Sequence, residues 1–482
     1  MSTTSPRPQD PPARPNLEQQ RKRARELLQA ARAGDSMALD RFRRRHPRFA
    51  DGAALRLADA QLVIAREYGL PSWPRLVAQL RGDSRRTRLF VTERSYYEDR
   101  AEGLLSTQQQ GLPASLAQIR AWHPRFTRAS DDEIAAAPFT IEDARLVYAR
   151  QHGFKHWDDL GAQVDALARG EIEEPFKAAF EAIQADDPAR LQAVLATAPD
   201  LLTARGTNQN TLLHLAGGCV AMVRLLLEAG ADPAIPNDRG WMPLHQAAYG
   251  NQVEVAALLI AAGAPLDAAA YGEGGTPLVA ALFWGHREVA ELLAAHTTAP
   301  GNLRVAAGLG RDDLVRDAFN QDGSLRPEAG AARGFYRCHT GFPLWQPTND
   351  RQEILDEALV WACKSGRVDV LPLLTDQGAN VNADPYRGTP LIWATVKRRL
   401  EAAAWLLDQG ADVNRRATFG GPSHGEGVTA LHLAAQNGDV DTVRFLLDRG
   451  ADRRIEDDLY HGTPLGWATH FERKEVADLL SG

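Results

Sequence analysis

The chain has 482 residues, a formal net charge of −7, and 44% hydrophobic and 24% charged residues, the balance of an ordinary folded protein rather than a fibrous or disordered one. Its three cysteines, Cys219, Cys338 and Cys363, are too few and too scattered for a disulfide framework or a CxxC metal site, and they fit free thiols in a reducing, cytoplasmic setting. No stretch approaches the ~18 consecutive apolar residues of a membrane-spanning helix, so no membrane partner is expected.

In chain order, residues 1–16 (MSTTSPRPQDPPARPN) come first. They are polar and proline-rich, carry too little apolar surface to offset ordering entropy, and are expected to be a disordered tail rather than a signal peptide. Residues 17–170 are expected to form a helical region built from two duplicated units. RFRRRHPRF (41–49) matches AQIRAWHPRF (117–126), and DAQLVIAREYGLPSWPRL (59–76) matches DARLVYARQHGFKHWDDL (143–160). Each copy reads as a helix ending at HPRF, a variable connection, and a helix ending at a glycine, followed by a Trp and a Leu three residues on. Because the HPRF and Trp positions recur in both copies, packing explains them better than a binding site, which needs only one. Such a region would cap the first unit of the repeats that follow.

Charge is unevenly distributed. Residues 1–100 hold 21 Lys+Arg against 12 Asp+Glu, and the remainder 34 against 50. The basic runs RKRAR (21–25) and RFRRRHPR (41–48) have the charge that nucleic acid or an acidic surface would attract. No nucleic-acid-binding motif accompanies them, and a solvated helix face accounts for them equally.

From residue 174 onward the chain repeats itself. TLLHLAGG (211), MPLHQAAYGN (242), TPLVAALFWGH (276), TPLIWATVKRR (389), TALHLAAQNGD (429) and TPLGWATHFER (463) open the copies, and most are followed by a second apolar run ending in glycine, such as VRLLLEAGADP and VRFLLDRGAD. Met242 to Thr276 and Thr429 to Thr463 each span 34 residues, and Thr389 to Thr429 spans 40. Thr is a helix N-cap residue and Pro suits the first helical position. The paired leucines make the second helix amphipathic, and the glycine supplies a left-handed residue to end it.

These runs resemble the ankyrin repeat, whose signature is T-P-L-H-x-A at a period near 33. The resemblance implies an all-α, ankyrin-repeat solenoid of helix-turn-helix units with hairpin loops, preceded by the helical N-terminal region. It groups the copies into 174–318 and 353–482, on either side of an insertion at 319–352. FKAAFEAIQADDPARLQAVLATAPDLLTARG (176–206) looks like an opening copy. The copy beginning at Thr211 is two residues short, which reads as a clipped inter-helix turn. His214, His245 and His432 fall on the motif histidine and are expected to make structural hydrogen bonds rather than bind metal.

Catalytic motifs are sparse. GPSHG (421–425) matches G-x-S-x-G, but it lies in a hairpin insertion, not the strand-turn-helix that a nucleophile elbow needs. Cys338 and His339 are sequence neighbours inside the aromatic insertion segment GFYRCHTGFPLWQP (334–347), and adjacency alone does not make a dyad. There is no HExxH, GxGxxG or GxxxxGK[ST]. The chain is read as a non-enzyme with no cofactor and no metal.

The aromatics are more regular. The position after the motif histidine is Trp361, Trp393, Leu433 and Trp467 in the last copies. First helices of the repeat line the concave face, so these residues form a ladder. It either fills the volume between repeats or offers an aromatic stripe to a partner. Tyr386 and Tyr460 stand three residues before the Thr of each GTPL run, and Phe419 lies in the enlarged hairpin between them. Arg387, Arg398, Arg399 and His470 would form a polar rim. The functional expectation is a scaffold binding a protein or peptide in this groove, with a nucleic-acid-binding basic head or an enzyme site in 319–352 as alternatives.

Overall fold

The Thr-Pro-Leu runs are helix starts. Thr276, Thr389 and Thr463 hold extended backbone, and each hydroxyl accepts the N–H three residues on (Val279, Ile392 and Gly466) at 3.2–3.3 Å, with Pro at the first helical position. Where the motif histidine is present the chemistry changes. The ring Nδ1 of His432 accepts from the Thr429 backbone N–H at 3.1 Å, and its Nε2 lies 3.0 Å from the Gly462 carbonyl, 30 residues on. His245 repeats this with Met242 N–H and Gly275 O. The expected structural role is therefore realised as a bolt between one helix start and the next hairpin.

In this computed structural model the described residues are 17–46, 49, 55–67, 73, 76, 87–270, 274–297, 302–334, 347–419 and 425–482. Among them only isolated bridges interrupt an all-α chain. The expected tail 1–16, the dyad Cys338–His339, most of the insertion's aromatic segment and most of GPSHG lie outside the described residues.

The chain divides into two units, Met1–Asp238 and Arg239–Gly482. In the first, α1 (Leu17–Arg32), α2 (Ser36–Arg45) and α3 (Leu57–Glu67) pack around Phe42, Val63, Ile64 and Leu76. The second copy is α4 (Arg94–Gln109), α5 (Pro113–Trp122), α6 (Asp131–Ala136) and α7 (Ile141–Gln151), around Leu104, Ile119, Phe126 and Val147, with α8 (Trp157–Ala168) following. The HPRF histidine serves both copies alike. His46 Nε2 lies 3.2 Å from Asp59 in the first turn of α3, and His123 Nε2 lies 3.1 Å from Asp143 in the first turn of α7. The unit ends with α9 (Pro175–Gln184), α10 (Pro188–Thr197), α11 (Leu212–Leu215) and α12 (Val220–Glu228). The copy expected to have a clipped turn instead has a shortened helix. Its α11 holds four residues where α13 of the next copy (Pro243–Tyr249) holds seven.

The second unit pairs α13 with α14 (Val253–Ala261), α15 (Pro277–Phe283) with α16 (Arg287–Ala294), and α17 (Leu303–Leu309) with α18 (Asp312–Asp317). Then follow α19 (Arg351–Ser365) with α20 (Leu371–Asp376), α21 (Pro390–Val396) with α22 (Leu400–Asp408), α23 (Ala430–Asn437) with α24 (Val440–Asp448), and α25 (Pro464–His470) with α26 (Lys474–Ser481). The first helix of each pair is nearly all buried, except α25, which buries Pro464, Trp467 and Ala468, and the second buries one stripe. Gly410 ends α22 at φ 86°, letting Ala411 N–H reach back to Leu406 O at 2.9 Å. Asparagines then lace successive hairpins, with Asn382 Oδ1 accepting from Asp412 N–H (2.7 Å) and Asn414 Oδ1 from Asp452 N–H (2.8 Å).

Candidate functional site: an aromatic and charged seam in the C-terminal repeats

Each expected site residue has a definite place. Trp361 on α19 is wholly enclosed, and Trp393 on α21 and Trp467 on α25 are each 5% exposed. Of the two readings of the ladder, the structure puts these indoles in packing. They sit on the buried face of a first helix against a neighbouring repeat, Trp361 beneath Arg304, Trp393 5.1 Å from Phe419 and Trp467 5.6 Å from His432. Arg387 is likewise interior, 7% exposed on a left-handed turn residue (φ 54°), so it is no rim residue. Arg399 is half-buried and structural, donating from Nη2 to Gly285 O at 3.3 Å. Arg398, exposed, pairs with Asp439 (3.1 Å) and Asp441 (3.5 Å). His470 is exposed beside Phe471, and Tyr460 is 63% exposed on its hairpin tip. Tyr386 and Phe419 are half-buried, and Phe419 stands 5.1 Å from the Trp393 ring. Burial pushes the Tyr386 hydroxyl up to about 12.

These residues fall into two groups. Tyr386, Arg387, Phe419 and Tyr460 belong to the hairpins before the first helices, whereas Arg398, Arg399 and His470 stand at the turns after them. A seven-residue helix separates the two by roughly 10 Å.

Behind the hairpins is a charged cluster that sequence reasoning missed. Lys364, at the end of α19, is 2% exposed. Its Nζ donates to Phe283 O at 3.0 Å and lies 3.8 Å from the Trp393 ring centre, 4.8 Å from Phe283 and 5.6 Å from Trp361. Burial, then repulsion from Lys397, lowers its pKa well below the usual lysine value, partly opposed by Glu357. Deeper in, Glu357 accepts from Arg304 Nη1 and Arg333 Nε, both at 2.6 Å, and all three are almost fully buried. Arg333 also bonds Glu353 and, through Nη1, Thr348 O at 2.8 Å. Arg304 lies over the Trp361 ring at 4.6 Å. Because Arg333 and Thr348 stand at the two described ends of the insertion, this cluster ties those ends to α17 and α19. A signal was present in the sequence, since Arg304, Glu357 and Lys364 interrupt apolar runs at core-facing positions.

A lone buried lysine costs desolvation that a hydrophobic isostere avoids. Lys364→Met is therefore expected to stabilise the protein by about 1 kcal/mol at pH 7 in urea unfolding followed by circular dichroism. With the native pKa lowered, the unfolded chain holds the proton more tightly, so the penalty applies below about pH 10.5. The gain should accordingly shrink as the pH is raised towards 10.

Part of the charge of the basic head is paired within it. Arg41 makes a two-pronged pair with Glu67 (2.7 and 2.8 Å), and Arg44 pairs with Asp40 at 2.7 Å. Among the described residues no group of His, Cys, Asp and Glu could hold a metal ion, and no helix is long and apolar enough to cross a membrane.

Residues 213–304, 344–417 and 419–482 match the family model for ankyrin repeats in three copies. Over those segments the chain is an ankyrin-repeat protein. A 126-residue stretch, 25% of the chain, is 33% identical to a protein of Treponema pallidum (strain Nichols) named as an ankyrin repeat-containing protein, of which the chain covers 42%. Ankyrin repeats are in general protein-interaction modules.

Proposed function

We propose that the chain is a non-catalytic scaffold that binds a protein partner through the hairpin tips and turn ends of its last three repeats. The observation that carries this reading is Tyr460. It is 63% exposed next to Leu459 at 39%, on a tip whose backbone N–H groups at 459, 460 and 462 all bond to the buried Asp457 carboxylate. A large amphipathic ring held on a rigid turn loses little entropy on binding, which is what an anchor residue needs. Tyr386 and Phe419 continue the aromatic character along the neighbouring hairpins, the buried tryptophans stiffen the surface from behind, and Arg398 and His470 add polar contacts at the turns. Cys219 and Cys363 are free thiols, in keeping with a reducing cytoplasmic location.

The test uses exposed residues, because truncating the buried indoles would damage the core. Tyr460→Ala with His470→Ala should leave the circular dichroism and urea midpoint unchanged. Capture of a partner from the native host's lysate, quantified by mass spectrometry, should fall by about tenfold or more, the loss of one anchor. Undiminished capture by the double variant would discard this face.

A further inference from the structure

The hairpins before YRGTPLIWATV and YHGTPLGWATH share one backbone. Arg387 and His461 take left-handed φ values of 54° and 50°, and Thr389 and Thr463 cap their helices at φ/ψ of −68°/163° and −78°/165°. In both, the indole Nε1 lies under the intervening glycine, 2.9 Å and 3.0 Å from where a Cβ on Gly388 or Gly462 would sit.

One position breaks the likeness. Asp457 is the hub of the second hairpin. Its Oδ1 accepts from Leu459 and Tyr460 N–H, and its Oδ2 accepts from Gly462 N–H at 3.0 Å and Trp467 Nε1 at 2.8 Å. Burial works against its charge, but these donors outweigh it and hold its pKa below the usual carboxylate range. Seventy-four residues earlier the equivalent position is Ala383. Asp384 compensates in part, taking Gly388 N–H at 2.7 Å, while its other oxygen serves Thr418 N–H and hydroxyl at 3.0 and 3.2 Å. It does not reach the indole. Trp393 Nε1, on a side chain 95% buried, has no acceptor among the described residues. A buried donor without a partner is rare and calls for an explanation. Ala383, which stands where that carboxylate's residue would be, is half-exposed, whereas Asp457 is 1% exposed. Arg387, buried in the same turn, and Lys364 Nζ, 3.8 Å from the Trp393 ring centre, supply positive charge beside the Asp384 carboxylate.

We infer that the 383–389 hairpin is a receptor for the carboxylate of an acidic side chain on the protein partner, with Trp393 Nε1 donating to it as Trp467 donates to Asp457. The inference rests on the interaction reading above and narrows it to a partner segment bearing an exposed Asp or Glu. The second hairpin, with its carboxylate built in, has no such vacancy.

The probe is the capped peptide Ac-Gly-Asp-Gly-NH2, with Ac-Gly-Asn-Gly-NH2 as control, titrated into the full chain carrying 15N-labelled tryptophan. The Trp393 indole N–H resonance is assigned by its loss in Trp393→Phe. The Asp peptide should move that resonance downfield and saturably, leaving the Trp467 resonance in place. The Asn peptide should need at least about tenfold higher concentration, since it lacks the charge. Ala383→Asp should place the resonance at the bound position without peptide and abolish the response. A Trp393 signal indifferent to the Asp peptide, or an Ala383→Asp protein that still responds, would overturn the inference. Neither result bears on Tyr460. Lysate capture lost in the Tyr460 variant alongside a silent Trp393 would reject only the carboxylate receptor, and a responsive Trp393 with undiminished capture would reject only the tip.

Discussion

Glu357→Ala is expected to destabilise the C-terminal unit by about 3–5 kcal/mol, the cost of leaving buried charges without their partner. Glu357 is 1% exposed and stands between Arg304 and Arg333, themselves 1% and 3% exposed, at 2.6 Å from each. Arg333 would keep Glu353 and the Thr348 carbonyl. Arg304 would keep the Trp361 face and a 3.4 Å bond from Nη2 to Ala332 O, so it suffers most. Urea unfolding at pH 7 reads the loss directly. Replacing the set together, with Arg304→Met, Glu357→Met and Arg333→Met, removes the charges along with their desolvation and should restore most of the stability. A Glu357→Ala protein as stable as the parent would mean that water or nearby polar groups solvate the two guanidiniums.

The second large effect is on pH. Burial lowers the His245 pKa from its usual 6.5 to about 4, against the pull of the Gly275 and Ala268 carbonyls, and it lowers His152 in the N-terminal unit to about 4 as well. Both rings stay neutral in the fold until the pH nears 4, whereas the unfolded chain protonates them below about 6.5. The unfolded state therefore binds more protons across that window, and stability falls as the pH falls. Each ring should remove about 2 kcal/mol between pH 7 and pH 5. The urea midpoint measured along that range should decline steeply, and His245→Gln, though less stable at pH 7, should decline less steeply by one histidine's share. A midpoint that is flat from pH 7 to pH 5 would show that the rings open to water before they titrate. The bolt geometry makes the effect unavoidable, because His245 is useful only as a neutral ring that accepts at Nδ1 and donates at Nε2.

The same bolts explain how the chain maintains a uniform surface from unequal copies. His245 and His432 tie a helix start to the following hairpin, and where the histidine gives way to Ile392 or Gly466 the Thr hydroxyl takes over the cap. Asn382 and Asn414 lace the hairpins together regardless. With the backbone secured this way, the tips are free to differ in side chains, and the contrast between Ala383 and Asp457 is one such difference.

What the sequence by itself determined is whatever depends on neighbours a few residues apart. The period, the Thr caps with Pro behind them, the left-handed glycines such as Gly410, the structural role of the motif histidines and the doubled HPRF unit all rest on short-range geometry that any copy must satisfy, so recurrence in the letters reports it. Tertiary structure alone decided which residues face outward. A tryptophan at the same register of each first helix is compatible with a groove or a core, and only the stacking of adjacent repeats over Trp361, Trp393 and Trp467 closes them off. It likewise brought Lys364 to Phe283 across 81 residues and Arg304 to Glu357 across 53. Such pairings depend on how helices on either side of the insertion stack, and local spacing carries no record of that.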